Sequence, residues 1–121
     1  MDTTHKNTPS LVIDFEHDDD TKQNHLMVHV TNLLKDFDND PLNVEVVCYG
    51  PGIMLLVAEK TKYEEQISEL QARGVVFHAC RNAMNMFNVT DEELISDATP
   101  VPSGVGRIVK AQIEGSVYLK G

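Results

Sequence analysis

The chain holds two thiols, Cys48 and Cys80, in unlike surroundings. Cys80 stands at the carboxyl end of the apolar run VVFHA (75–79), directly before a helix-compatible stretch at 81–87. A cysteine where a strand hands over to a helix has its sulfur beside unpaired amide N–H groups and the positive end of the helix dipole. Both favour the thiolate, which is the nucleophile. Arg81 adds a cation next in sequence and Asn82 a side-chain amide. His78 falls on the same side of a strand as Cys80, because strand side chains alternate with a period of two. On spacing alone, a nucleophilic thiol and a small buried hydrophobe account for Cys80 about equally. Cys48 lies inside the apolar run 43–49, where packing explains it. Neither C-x-x-C nor a zinc-knuckle spacing occurs, so a redox pair or structural zinc site is not indicated.

Other residue types outline weaker sites. His25 and His29 are four apart on one helical face, and Asp18, Asp19 and Asp20 precede them. Two imidazoles and a carboxylate are the beginnings of a divalent-metal site. A further anchored ligand is missing, so the bland reading, a hydrated helix face behind an acidic turn, is preferred and no metal or cofactor is expected. Gly50, Pro51 and Gly52 lack the length and lysine of a P-loop and do not match G-x-G-x-x-G. They read as a tight turn that brings backbone amides to a pocket rim.

The elements that must position these residues alternate along the chain. LVIDF (11–15) reads as a buried strand, followed by an acidic turn at 16–20. Leu26, Val30, Leu33, Leu34 and Phe37 recur at helical spacing and predict a helix over 22–36. DNDP at 38–41 ends it. The second strand is 43–49, and the apolar 53–57 forms a short helix over the sheet. Tyr63, Ile67 and Leu70 mark another helix with Gly74 as its left-handed cap. Strand 75–79 follows, then the helix after Cys80. Thr90–Glu93 matches a capping box that opens a helical turn around Leu94. Residues 98–102 are extended, Ser103 caps a helix over 104–114, and 117–119 is a last strand.

Strands alternating with helices argue for βαβ units, hence a single α/β domain with a mainly parallel sheet. Right-handed crossovers place helices on both faces. Sites in such sheets gather outside the carboxyl ends of the strands, where the acidic run, the Gly-Pro-Gly loop and Cys80 all fall.

Composition narrows the function classes. A chain of 121 residues suits one domain, read here as 11–121 behind a flexible leader at 1–10. An apolar share of 41% is enough for a core and too high for a disordered chain. The formal charge of −9 repels nucleic acid and anionic membrane surfaces on average, and no Lys/Arg stripe with interleaved aromatics overrides it. The polar start MDTTHKNTPS has no apolar signal region, and no run approaches the roughly 18 apolar residues of a membrane span. Two unpaired thiols in a domain of this size suit a reducing, cytoplasmic setting.

Three segments in order resemble the DsrE/DsrF-like family. GVVFHACRNAMNMFNVTDEEL (74–94) resembles its cysteine segment, in which a strand ends in Ala-Cys before Asn and a short helix. EVVCYGPGI (45–53) is similar to its strand and Gly-Pro-Gly loop. PSGVGRIVKAQIEGSVYLK (102–120) resembles its last helix and closing strand. The resemblance implies a YchN-like α/β fold, assembly into homotrimers or hexamers, and a persulfide cysteine falling on Cys80. It implies a sulfurtransferase or sulfur carrier with donor and acceptor protein partners. Gly50, Pro51, Gly52, His78, Arg81, Asn82, Ser103 and Gly104 would line its pocket. The apolar run 53–57 offers a surface to bury between subunits. One departure is that many members carry Arg-Gly where this chain has Phe87-Asn88. The competing expectation is a non-enzymatic oligomeric module for a small ligand or partner, with Cys80 a passive pocket residue.

Overall fold

The computed structural model describes residues 8–38 and 40–121, so the leader expected at 1–10 falls mostly outside the described residues. Five strands form one sheet: β1 (Ser10–Phe15), β2 (Asn43–Cys48), β3 (Val76–Cys80), β4 (Thr99–Val101) and β5 (Val117–Lys120). Their order is β4-β3-β2-β1-β5, and every pairing is parallel. Four helices connect them: α1 (Asp20–Asp36), α2 (Glu64–Ala72), α3 (Arg81–Met86) and α4 (Gly104–Ile113).

The strand order explains which face each helix takes. From β1 to β4 the chain steps steadily toward one edge, and right-handed crossovers keep α1, α2 and α3 on one face. After β4 it must return across the whole sheet to reach β5, which sends α4 to the opposite face. Two cores result. The larger joins Leu11, Ile13, Phe15, Val44, Val46, Cys48, Phe77 and Ala79 to residues of α1, α2 and α3. The smaller joins Val12 and Val47 to Ile108 and Ala111 of α4. Strand parity therefore assigns residues 45, 47, 49, 78 and 80 to the α4 side. Each fully buried Phe, Ile or Leu contributes roughly 1.5–3 kcal/mol, so the larger core carries most of the stability.

Local chemistry sets the ends. Asp19 caps α1 by accepting from the Lys22 amide at 3.1 Å. Asn88 takes φ +55°, and the Val89 amide reaches back to the Met84 carbonyl at 2.8 Å. This is the left-handed helix end for which Asn is the usual substitute for Gly, so the change from Arg-Gly leaves the backbone intact. The Thr90 amide donates to Glu93 Oε1 at 2.8 Å, but the turn it opens is a 3-10 turn over Asp91–Glu93 that stops before Leu94.

Residues 53–56 of the apolar run lie in a 3-10 helix, Gly50–Leu56, that Val57 ends, and they face inward: Ile53, Leu55 and Leu56 are fully buried. This corrects the expectation of an intersubunit surface there. Pro51 starts the segment, and Ile95 N–H···O Leu56 and Ala58 N–H···O Glu93 bonds tie its end to the turn before β4. The exposed apolar residues lie elsewhere, with Val105, Val109 and Ile113 four apart along the outer side of α4. Among the described residues no helix is long and apolar enough to cross a membrane.

Candidate functional site

Cys80 is the last residue of β3 and caps α3, with φ −69° and ψ 117°. It is 6% exposed. Strand parity turns it toward the α4 side, where it meets the first turn of α4 rather than that of α3. A Cβ placed on Gly104 would lie 3.1 Å from Cys80 Cβ and 3.4 Å from its sulfur. The same Cβ would lie 2.8 Å from Tyr49 Cβ. Only a glycine lets the helix start this close to both side chains. Ser103 fixes that start by accepting from the Gly106 amide at 3.0 Å. The open amide end of a ten-residue helix is thus seated beside Cys80.

Tyr49 completes this corner. Cys48 pairs with Ala79, so Tyr49 continues the register opposite Cys80. Its hydroxyl donates to Asp14 Oδ2 at 3.0 Å. Burial, and then the neighbouring Asp14 carboxylate, push the phenol well above its usual range, so it stays protonated and a donor. Tyr118 is shifted the same way by burial and by Asp14. Sequence reasoning missed Tyr49 and Asp14. Parity plus the β2–β3 register was the signal that could have found them.

The other residues singled out from the sequence divide. Gly50 adopts φ +50°, and a Cβ on Gly52 would lie 2.2 Å from the Phe15 carbonyl oxygen, so the Gly-Pro-Gly turn serves to fold the end of β2 against β1. The Gly52 amide already donates to the Tyr49 carbonyl at 2.9 Å. Arg81 grips Asp91 with both arms, its Nη2 donating to Oδ2 at 3.2 Å, so its cation is spent on the loop after α3. Asn82 is exposed on α3.

His78 shares the sheet face of Cys80, but its Nε2 donates to Glu45 Oε1 at 3.0 Å. Arg107 of α4 grips the same carboxylate through Nε at 2.7 Å and Nη2 at 3.0 Å, and reaches Glu114 at 3.0 Å. The Arg107–Glu45 pair staples α4 to the middle of the sheet, and the His78–Glu45 pair joins β3 to β2. His78 Nδ1 is buried without a well-aligned hydrogen-bond partner, although the Thr99 backbone lies alongside. Burial lowers the His78 pKa below its ordinary 6.5, Glu45 opposes this, and Arg107 reinforces it.

The sign of the resulting pH dependence follows. With the folded pKa depressed, the neutral imidazole is favoured in the fold. Its contribution is complete above the unfolded value and is lost as pH falls below it. Tm should therefore drop on acidification from about pH 7 to pH 5, and His78→Gln, which keeps an amide donor for Glu45, should flatten that drop. Thermal melts across this range check it; an unchanged slope in the variant would assign the effect elsewhere.

His25 and His29 are exposed, with ring centroids 5.9 Å apart. Among the described residues no group of three or more His, Cys, Asp or Glu is placed to hold a metal. The thiol of Cys48 is fully buried in the larger core, which pushes its pKa far up.

An all-parallel five-stranded α/β domain, with a cysteine at a strand's carboxyl end facing the start of the return helix, defines a class of small thiol-bearing proteins. Comparison with family profiles makes the class specific: the DsrE/DsrF-like profile matches residues 11–120, and the chain belongs to that family. Its fold is similar to that of MTH1491, a protein of unknown function from Methanobacterium thermoautotrophicum. The two are 32% identical, with a TM-score of 0.87 over 93% of this chain and 99% of that one. No curated protein matches the chain.

Proposed function

We propose that the protein works in sulfur metabolism as a cytoplasmic sulfur carrier that accepts and passes sulfane sulfur on Cys80. The observation that carries this reading is the seating of the first turn of α4 against the Cys80 side chain, made possible by Gly104. Helix N-terminal amides favour an anion, and a persulfide is anionic over the working pH range. In the transfer, the Cys80 thiolate attacks the outer sulfur of a donor persulfide. A new S–S bond forms at Cys80, the donor's S–S bond breaks, and the donor leaves as a thiolate with the electron pair. An acceptor thiolate then takes the outer sulfur by the same exchange and regenerates Cys80, with no net oxidation. Incubating the full chain with a persulfide donor should add one sulfur atom, removable by a reductant and read by intact mass.

A second reading is favoured by one observation, the near-complete burial of Cys80. In it the protein is a non-enzymatic oligomeric module and Cys80 only packs. Absence of any adduct, together with slow alkylation of the native protein, supports that alternative.

The same proposal includes self-assembly into a trimer, or a hexamer built from trimers. Val105, Val109 and Ile113 supply an exposed apolar stripe on α4, which a second copy would cover. Val109→Asp should shift the assembly to monomer in sedimentation equilibrium at micromolar concentration while leaving the far-UV circular dichroism unchanged. A wild-type chain that is monomeric under the same conditions removes this part of the proposal.

A further inference from the structure

A second cleft opens at the carboxyl ends of β1 and β2, on the α1 side of the sheet and away from the α4 side that Cys80 faces. It measures about 410 Å³ and is lined by Asp18, Asp20, Gln23, Met54, Lys60 and Lys62. Gln23 is its unusual member. It occupies the core stripe of α1 with Leu26, Met27, Val30 and Leu34, and is 7% exposed. Among the described residues no protein group pairs with its side-chain amide, although Gln offers two donors and an acceptor. The amide is not sealed in the interior, since among the described residues only His78 Nδ1 is a buried side-chain polar atom without a partner; it opens on the cleft, and its partner is whatever occupies the cleft.

The surrounding charges indicate what that something is. Asp20 is already engaged, since the Tyr63 hydroxyl donates to its Oδ1 at 2.7 Å and Lys62 Nζ lies 3.9 Å away. Tyr63 is buried, so this bond ties the approach to α2 onto the first turn of α1 and fixes one wall. The wall bearing Lys60 is fixed too, because the Lys60 and Thr61 amides both donate to the Val57 carbonyl at 2.9 Å. Asp18 and Lys60 remain as one free carboxylate and one free ammonium lining the same cleft, which Met54 also lines. A simple anion would meet Asp18, and a simple cation would meet Lys60. A molecule carrying both charges satisfies both groups and leaves a polar side chain for Gln23.

We propose that this cleft binds a small zwitterion of the free α-amino-acid class. The carboxylate pairs with Lys60, the ammonium with Asp18, and a side-chain amide or hydroxyl with the Gln23 carboxamide, its aliphatic stem against Met54. The site lies where parallel sheets collect their ligands, and it stands independently of the reading of Cys80.

The experiment uses L-glutamine as the probe on the full chain, followed by the side-chain amide resonances of Gln23 in ¹H–¹⁵N spectra. Saturable movement of those resonances is expected, with N-acetyl-glutamine and glutamine amide, each lacking one charge, binding at least about tenfold more weakly. Gln23→Met should reduce glutamine affinity by a similar factor. Asp18→Asn and Lys60→Gln, both at exposed positions, should each weaken it severalfold and serve if Gln23→Met does not fold. Unmoved Gln23 resonances, equal binding of all three probes, or unchanged affinity in the Asp18 and Lys60 variants would overturn the proposal. So would unchanged affinity in a folded Gln23→Met, which would leave water as the amide's partner.

Discussion

Cys80→Ser is expected to abolish sulfur uptake from a persulfide donor, while Cys48→Ala retains one sulfur atom per chain. Both thiols touch the larger core, but strand parity turns Cys80 toward the start of α4 and leaves it slightly exposed. Cys48 belongs to the larger core, fully buried among the side chains of both its sheet face and the overlying helices, and burial holds its thiol protonated. A donor persulfide has no route to it without global opening. Cys80 ends its strand, keeps some exposure, and faces the amide end of a helix. Serine at 80 preserves size and a polar contact but cannot carry a sulfane sulfur, so the loss should be complete rather than partial. Alanine rather than serine is the useful change at 48. A hydroxyl buried there without a partner costs roughly 1–3 kcal/mol, whereas alanine loses only part of a small side chain's packing. Peptide mass spectrometry locates the adduct. Equal labelling of both thiols, or labelling of Cys48 alone, contradicts the assignment of the carrier.

The order of elements was readable because nearly every strand is a short β-branched run between turn residues, and nearly every helix has its cap written beside it. Asp19, Gly74, Asn88 and Ser103 act where their residue types indicate. Resemblance and pattern agree on the parallel sheet with helices on both faces. Position in sequence was less informative about the site. Arg81 follows Cys80 directly, yet a side chain at the start of a helix can swing away, and Asp91 ten residues later captures it. His78 shares Cys80's face as a period of two requires, but its nitrogen is committed to Glu45 on the neighbouring strand. Tyr49 and the α4 terminus reach Cys80 only through the strand order, since α4 crosses the sheet on the way from β4 to β5. No local pattern encodes that crossing. The apolar run at 53–57 misleads for a related reason: hydrophobicity states that a segment will be buried, not whether its own chain or a second copy buries it.

The junction at Gly104 gives the other large effect. Intrinsic propensity favours alanine over glycine inside a helix by up to about 1 kcal/mol, so on local grounds Gly104→Ala should stabilise the protein. The packing gives the opposite sign. The new methyl would sit 2.8 Å from Tyr49 Cβ and 3.1 Å from Cys80 Cβ, and both are atoms bonded directly to backbone rather than flexible tips. Relief requires α4 to rise from the sheet by several tenths of an ångström, against the Glu45–Arg107 ion pair that holds it down. Overpacking of this kind costs about 1–3 kcal/mol, which outweighs the propensity gain and should lower Tm by several degrees. Because the contact is with Cβ, adding Tyr49→Ala should not restore the loss, whereas a clash with the ring itself would be relieved. Lifting the helix also opens Cys80, so iodoacetamide should alkylate it several times faster in Gly104→Ala than in the wild type, while Cys48 stays unreactive. Thermal melts and alkylation rates read the two consequences separately. A variant that melts higher than the wild type, with Cys80 reacting at its original rate, would show that α4 does not sit against the thiol.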